Sequence, residues 1–263
     1  MVCRSHRFKA PGLGGFAWRQ SPGIVMGVTA LAGGTTAICA SAGILAYAVR
    51  VPSSSMLAPS VHQGDSSRPA IALTFDDGPS ESTPEVLDIL AQHGALATFF
   101  QCGANVHRLP LISREVAGRG HEIGNHTHTH PKLYFRSAGF IYNELSLAQE
   151  TIQQTTGVRP GLFRAPYGAR WFGLRAAQQR LGLLGVMWTT LALDWKWSEP
   201  RVIQRLLNGS RNGAIFCLHD GRRLEPKPDI GATLGALRAI LPKLMEQGFH
   251  FVKVTDILCP TRN

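Results

Sequence analysis

Acidic residues are scarce in this chain. Against 27 Lys and Arg stand 17 Asp and Glu, a formal net charge of +10 over 263 residues. Residues 1–69 carry six basic residues and one acidic one, which leaves +5 on residues 70–263. That balance suits an anionic polymer or surface. The basic residues nowhere form a stripe interleaved with aromatics, however, which argues against nucleic acid as the partner and leaves a solvated basic surface as the plainer reading. Cysteine is equally sparse. Cys3, Cys39, Cys102, Cys217 and Cys259 are scattered, odd in number and contain no C-x-x-C pair, which excludes a disulfide framework and a zinc ribbon. Cys102 and Cys217 fall in apolar, strand-like runs where a thiol packs as a small hydrophobe. No short internal repeat is evident, so the length is read as one large domain, or a medium domain with appendages.

Charge is missing altogether between Ser21 and Val49. This stretch is long enough to cross a bilayer, which takes about 20 helical residues. Residues 1–20 bring Arg4, Arg7, Lys9 and Arg19 to its N-terminal side, which favours a cytoplasmic N-terminus and an exported remainder. Residues 21–49 are thus expected to be a transmembrane signal-anchor. Ala40-Ser41-Ala42 and Ala46-Tyr47-Ala48 resemble small-residue cleavage sites, so a removed signal peptide is the alternative. Both place the rest outside the cytoplasm. Residues 50–68, rich in Ser and punctuated by Pro52, Pro59 and Gly64, have linker composition. The folded domain is expected over 69–258, with 259–263 as a tail.

From Pro69 onward, strand-like and helix-like patterns alternate. Strands are expected at 70–75, 96–101, 120–124, 161–164, 184–189, 214–218 and 249–253. Helices are expected at 83–93, 109–117, 138–156, 171–181, 199–208 and 231–247, the first with Ser82 and Glu85 in capping-box spacing and Pro84 near its start. Repeated βα units argue for a parallel α/β architecture, a barrel or a doubly wound sheet. In such folds the chemistry collects at the carboxyl ends of the strands, and there the polar outliers fall. Asp76 and Asp77 follow the first strand, His126-Thr127-His128-Thr129-His130-Pro131 the third, and Arg164-Ala165-Pro166-Tyr167-Gly168 the fourth. Asp194-Trp195 lies beyond the fifth and His219-Asp220 ends the sixth.

Two adjacent aspartates repel each other. A metal ion relieves this, because one carboxylate can ligate it while the other stays free as a base. As a strand, His126, His128 and His130 would share a face; as a helical turn, His126 and His130 would pair. Pro131 disfavours the helical region for His130, so a tight irregular turn is expected. Two imidazoles with Asp77 make a three-ligand site with open positions, the form of a catalytic rather than a structural metal centre.

Taken together, these motifs resemble the polysaccharide deacetylase family, also called the NodB-homology domain or carbohydrate esterase family 4, over about residues 68–258. Thr74-Phe75-Asp76-Asp77-Gly78-Pro79 matches its first motif and His126-Thr127-x-x-His130 its second. Arg164-x-Pro166-Tyr167 matches the third and Leu218-His219 the fifth. The resemblance implies a distorted (β/α) barrel of about seven parallel strands and a divalent metal, most commonly zinc. It also implies hydrolysis of N-acetyl groups on N-acetylglucosamine polymers such as peptidoglycan or chitin. By resemblance, Asp77, His126 and His130 hold the metal, Asp76 is the general base, Arg164 pairs with Asp76, and His219 protonates the departing amine. The backbone N–H of Tyr167 faces the oxyanion, and Trp195 and Leu218 line the acetyl pocket. The fourth motif departs from the family's D-x-x-D-W, with Leu191 where the first aspartate stands, and leaves Asp194 either to orient His219 or to serve structure alone. Trp171, Trp188 and Trp197 are candidates for sugar stacking, with core packing the better reading for Trp188. A carbohydrate polymer, the membrane through residues 21–49 and no nucleic acid are the expected partners of a monomeric catalytic domain. The rivals are a same-fold hydrolase of a non-sugar amide or of O-acetyl esters, and an inactive carbohydrate-binding module.

Overall fold

The computed structural model describes residues 41–258. Residues 41–50 are helical (α1), followed by β1 (Ser60–Val61), β2 (Ala70–Gly78), α2 (Thr83–Gln92), β3 (Ala97–Gln101), α3 (Gly103–Arg108), α4 (Pro110–Gly118), β4 (Glu122–Asn125), α5 (Ala138–Thr156) and β5 (Leu162–Phe163). A 3-10 turn (Pro166–Gly168) leads to α6 (Leu174–Leu181), β6 (Leu184–Val186), β7 (Thr190–Leu191), α7 (Glu199–Asn208), β8 (Ala214–His219), α8 (Gly231–Glu246), β9 (His250–Phe251) and α9 (Val254–Leu258). Each expected strand from residue 70 onward is present. The expected helix at 109–117 is α4, and α3 before it was not foreseen. The capping box at Ser82 does not form, because the Ser82 hydroxyl donates to the Pro228 carbonyl instead.

The strand pairings are parallel throughout, in the order β1-β6-β5-β4-β3-β2-β8-β7, with β9 against the start of β2. β6 and β7 are two ends of one segment, residues 184–191. Its first end pairs with β5 and its second with β8, so the sheet curls back on itself through this seam. The result is a distorted parallel α/β barrel.

Side-chain parity along β2 assigns the two faces. Ile71, Leu73 and Phe75 pack outward with residues of α2 and α8, including Leu87, Leu90, Leu237 and Leu241. Each such buried aliphatic side chain contributes about 2 kcal/mol of transfer free energy. Ala70 and Ala72 point the other way, into a smaller cluster with Phe100, Val186, Ile215, Val254 and Ile257. The same parity carries Thr74 and Asp76 into the barrel. On β8, Phe216 and Leu218 join the outer core while Ile215, Cys217 and His219 face inward.

Residues 50–68 are not a free linker. β1 pairs with β6, and Ser54 and Ala58 are buried. The buried Arg170 guanidinium donates to the carbonyls of Ser54 (2.6 Å) and Val51, and the Arg170 N–H to that of Val49 (3.1 Å). An arginine replaces apolar packing as the fastening device here, which Ser- and Pro-rich composition cannot disclose. The span expected at 21–49 lies, up to residue 40, outside the described residues, as does the tail at 259–263. Among the described residues no helix is long and apolar enough to cross a membrane.

Candidate active site

β2 delivers two neighbouring carboxylates to one cavity by means of a bulge. Asp76 stays in register with Phe100 of β3 and His219 of β8, and the β2–β3 register shifts before Gly78. Asp77, at φ 72°, is the extra residue. A bulge re-aims a side chain that the pleat would otherwise send to the outer face. Two glycines make room for this. A Cβ on Gly78 would stand 2.3 Å from Asp220 Oδ2, and one on Gly221 2.5 Å from the Asp77 carbonyl oxygen.

Asp76 is fully engaged. Its Oδ1 accepts from Arg164 Nη1 at 2.7 Å and its Oδ2 from the Cys217 thiol at 3.4 Å. Burial, with Asp76 alongside, pushes the Cys217 thiol up, so it stays protonated and serves as a donor. Arg164 is wholly buried. Its remaining N–H groups reach Thr74 Oγ1 (2.6 Å) and the carbonyls of Val186 (3.0 Å) and Met187 (3.1 Å).

Asp77 faces the other way. Its Oδ2 accepts the Arg223 N–H at 2.8 Å, and its carbonyl accepts from Asn105 Nδ2. Oδ1 is buried and makes no hydrogen bond, although His126 Nε2 and His130 Nε2 lie 3.3 and 2.9 Å away. The His126 Nδ1 sits 2.8 Å from the Arg164 carbonyl oxygen. This places a proton on Nδ1 and leaves the Nε2 lone pair directed at Asp77. Three possible ligand atoms lie within 4.8 Å of one another, one of them an unpartnered carboxylate oxygen, and together they could hold a divalent cation.

The histidine segment is the irregular turn that Pro131 demands. Thr127 and His130 adopt φ of 67° and 55°, and the turn is held by Asn125 Oδ1 to the Thr127 N–H and Thr127 Oγ1 to the His130 N–H. His128 points away: its N–H donates to Glu144 and its Nδ1 lies against Gly103. Neither regular geometry entertained for this segment is therefore realised.

Opposite stands His219, whose Nδ1 lies 2.8 Å from Asp194 Oδ1. Asp194 Oδ2 accepts from the His219 N–H and from Thr233 Oγ1. Burial works against a charged imidazole here, but Asp194, reinforced by Asp77 and Asp76, pushes His219 up to about 9. Asp194 thus orients His219, and Leu191 in the fourth motif leaves no partner missing. A second acid-bearing group, Asp76, Cys217 and His219, also lies within 4.8 Å. Its members are already committed to Arg164, to a thiol proton and to Asp194, so it offers no comparable donor set.

The cavity holding these groups is about 600 Å³. Tyr167, at φ 58° and edge-on to His130, forms one wall, and Trp195, edge-on to His219, another. Leu218 is a correction. It is fully buried in the outer core, while its chain neighbours of opposite parity, Cys217 and His219, line the cavity together with Leu191. Trp188 also lines it rather than serving only the core, whereas Trp171 packs between Phe135, tilted against it, and Phe172, edge-on to it. Trp197 borders a separate, open cleft of about 460 Å³ that contains no carboxylate, imidazole or thiol. Cys217 and Asn105 were not foreseen as site residues. Period-two spacing from His219 points to the first, and no sequence signal points to the second.

Comparison with known proteins gives a consistent result. The family profile described as polysaccharide deacetylase matches residues 63–186. A chitooligosaccharide deacetylase of Azorhizobium caulinodans is 40% identical over 193 residues, covering 68% of this chain and 90% of the relative. The peptidoglycan-N-acetylglucosamine deacetylase PgdA of Listeria monocytogenes is 36% identical over 190 residues, which is 71% of this chain but only 38% of that protein's length. Among solved structures, the Bc1960 peptidoglycan N-acetylglucosamine deacetylase superposes with a TM-score of 0.72 at 31% identity, covering 76% of this chain and 92% of that one. A carbohydrate esterase family 4 pseudoenzyme from Bacillus anthracis reaches 0.69 at 26% identity, covering 76% and 69%, so side chains rather than fold decide activity.

Proposed function

The chain belongs to the polysaccharide deacetylase family, and from that premise we propose that it hydrolyses N-acetyl groups on an N-acetylglucosamine-containing polysaccharide of the cell envelope. The deacetylase activity, the substrate, the metal and the residue roles below rest on that membership and on the site geometry. The observation that carries it is the meeting, in one cavity, of a buried unpartnered Asp77 oxygen with two imidazole lone pairs, beside an Arg164-paired carboxylate and an Asp194-paired histidine.

Asp77, His126 and His130 hold a divalent metal, with zinc the best match to two nitrogens and one oxygen. When bound, it supplies Lewis-acid polarisation and lowers the pKa of water. The protein's own residues then divide the proton traffic. Asp76 accepts the proton of the attacking water, and the Arg164 and Cys217 contacts keep its oxygens facing the cavity. His219 is cationic at neutral pH and gives its Nε2 proton to the departing amine, while Asp194 holds its Nδ1 side. The backbone N–H of Tyr167 supports the developing oxyanion. Leu191, Trp188 and Trp195 give the acetyl methyl an apolar place, the role expected of Leu218.

Residues 21–49 are read as the exporting segment, anchored or cleaved, with the basic residues 1–20 ahead of it, which puts the domain where such polymers lie. The test is release of free amine from peptidoglycan, chitin oligomers and acetylated xylan, with and without chelator. Amine release that chelation stops and zinc restores supports the reading. Acetate from xylan without amine from either glycan would falsify it in favour of an O-acetyl esterase.

A further inference from the structure

The mouth of the cavity is more basic than the proposed chemistry requires. Arg50, Arg222 and Arg223 line it, with Glu225 the only carboxylate at that level. Of the two deeper acids, Asp76 is paired with Arg164, and Asp77 lies among the imidazoles of the proposed metal site. Among the described residues none of the three arginines forms an ion pair with a carboxylate. Arg222 reaches the Asp194 carbonyl at 3.3 Å, and Arg223 lies over the Tyr167 ring at 5.5 Å, with Lys132 5.9 Å from the same ring.

Arg50 comes from outside the segment that the family profile matches, and it is placed deliberately. The carbonyls on either side of it, of Val49 and Val51, are both bonded by Arg170, through its backbone N–H and its buried guanidinium. The Val51 N–H closes the last turn of α1 onto the Tyr47 carbonyl. A surface arginine of no consequence needs no such mounting.

Building on the deacetylase reading, we propose that Arg50, Arg222 and Arg223 form a carboxylate-binding subsite. The substrate is a glycan in which the acetamido sugar at the metal-ligand cluster neighbours a sugar bearing a free carboxylate, such as the lactyl ether of a muramic acid residue. A guanidinium fits a carboxylate through two parallel N–H donors, and a cluster of them at a cavity mouth raises the local concentration of an anionic strand. A neutral chitin chain gains nothing from either.

The experiment compares amine release by the full, metal-loaded chain on two tetrasaccharides of equal length. One alternates N-acetylglucosamine with N-acetylmuramic acid bearing free lactyl groups, and the other is fully N-acetylated chitotetraose. The expected result is a higher kcat/KM on the acidic glycan, a preference that shrinks as salt is raised. Arg50→Gln should lower the ratio of the two kcat/KM values about tenfold, mainly through KM, and Arg50→Lys should restore part of it. Circular dichroism and thermal melting establish that both variants are folded. A ratio unmoved in Arg50→Gln and in Arg223→Gln overturns the subsite. So does a preference seen only with strands whose lactyl groups are capped by stem peptides, since the anion would then be a peptide carboxylate. Calorimetric binding of the same two oligosaccharides needs no turnover. Tighter binding of the acidic one supports the subsite, and equal binding overturns it, even where absence of amine release defeats the deacetylase reading.

Discussion

The two walls of the cavity meet at β2 and are built on opposite principles. On the β8 side the polar atoms satisfy one another: Asp194 takes His219 Nδ1, its backbone N–H and Thr233 Oγ1, and Asp76 takes Arg164 and Cys217. On the β4 side the polar atoms converge without satisfying one another. Asp77 Oδ1 and His130 Nδ1 are buried without a hydrogen bond. A self-sufficient network fixes protonation states and geometry. An unsatisfied one costs free energy until a partner enters. On the proposed function, the contrast separates a wall that would move protons from a wall that would take up a cation.

The sharpest way to break the contrast is to exchange carboxylate for amide on each wall. Asp76→Asn is expected to lose about 10²–10⁴-fold in turnover, the usual range for a general base, while binding metal normally. Asp77→Asn is expected to bind metal poorly and to regain part of its rate in excess zinc. Zinc titration of the two apo variants, followed by amine release, distinguishes them. If zinc rescues Asp76→Asn instead, the two roles are reversed.

Next in size is a change outside both walls. Leu218→Ala should destabilise the domain by about 2–5 kcal/mol, as large-to-small core substitutions do, with KM unaltered. A raised KM at full stability would return Leu218 to the acetyl pocket. Metal comes third. At a hundred times its dissociation constant, zinc should stabilise the wild type by about 2.7 kcal/mol, seen as a melting temperature that falls on chelation. His128→Ala should retain this shift and His126→Ala should lose it. A lost shift in His128→Ala would place that residue among the ligands.

The smallest effect at neutral pH concerns Asp194. The folded-state pKa of His219 is raised to about 9, so its protonated form prevails below that value and is lost as pH rises through it. The rate should therefore fall on the alkaline side, and Asp194→Asn should move that limb toward the ordinary histidine value of about 6.5. By the same linkage, the ion pair's contribution to stability is complete below about 6.5 and gone above about 9. An alkaline limb that stays in place would assign the titration to another group.

Much of this was legible in the sequence, for identifiable reasons. Apolar runs bounded by Gly and Pro located β2, β3 and β8, because long central strands are buried on both faces. Asp76, Asp77, His126, His130, Arg164 and His219 stood out because charge at a strand end is conspicuous. Two-residue strands such as β1 and β7 are too short to carry a pattern, and they depend on neighbours distant in the chain. Residues 50–68 looked like a linker because what fastens them, Arg170, lies more than a hundred positions away. The bulge at Asp77 is set by packing against Gly221 and Asp220 rather than by local composition.

The seam between β6 and β7 has a consequence for folding. Arg164 bonds the carbonyls of Val186 and Met187, where the chain passes from one side of the ring to the other, and with the same guanidinium it grips Asp76. If Asp76 is the base, aligning it and latching the ring are one event. On that reading, the appearance of activity during refolding is expected to coincide with the last closure of the barrel.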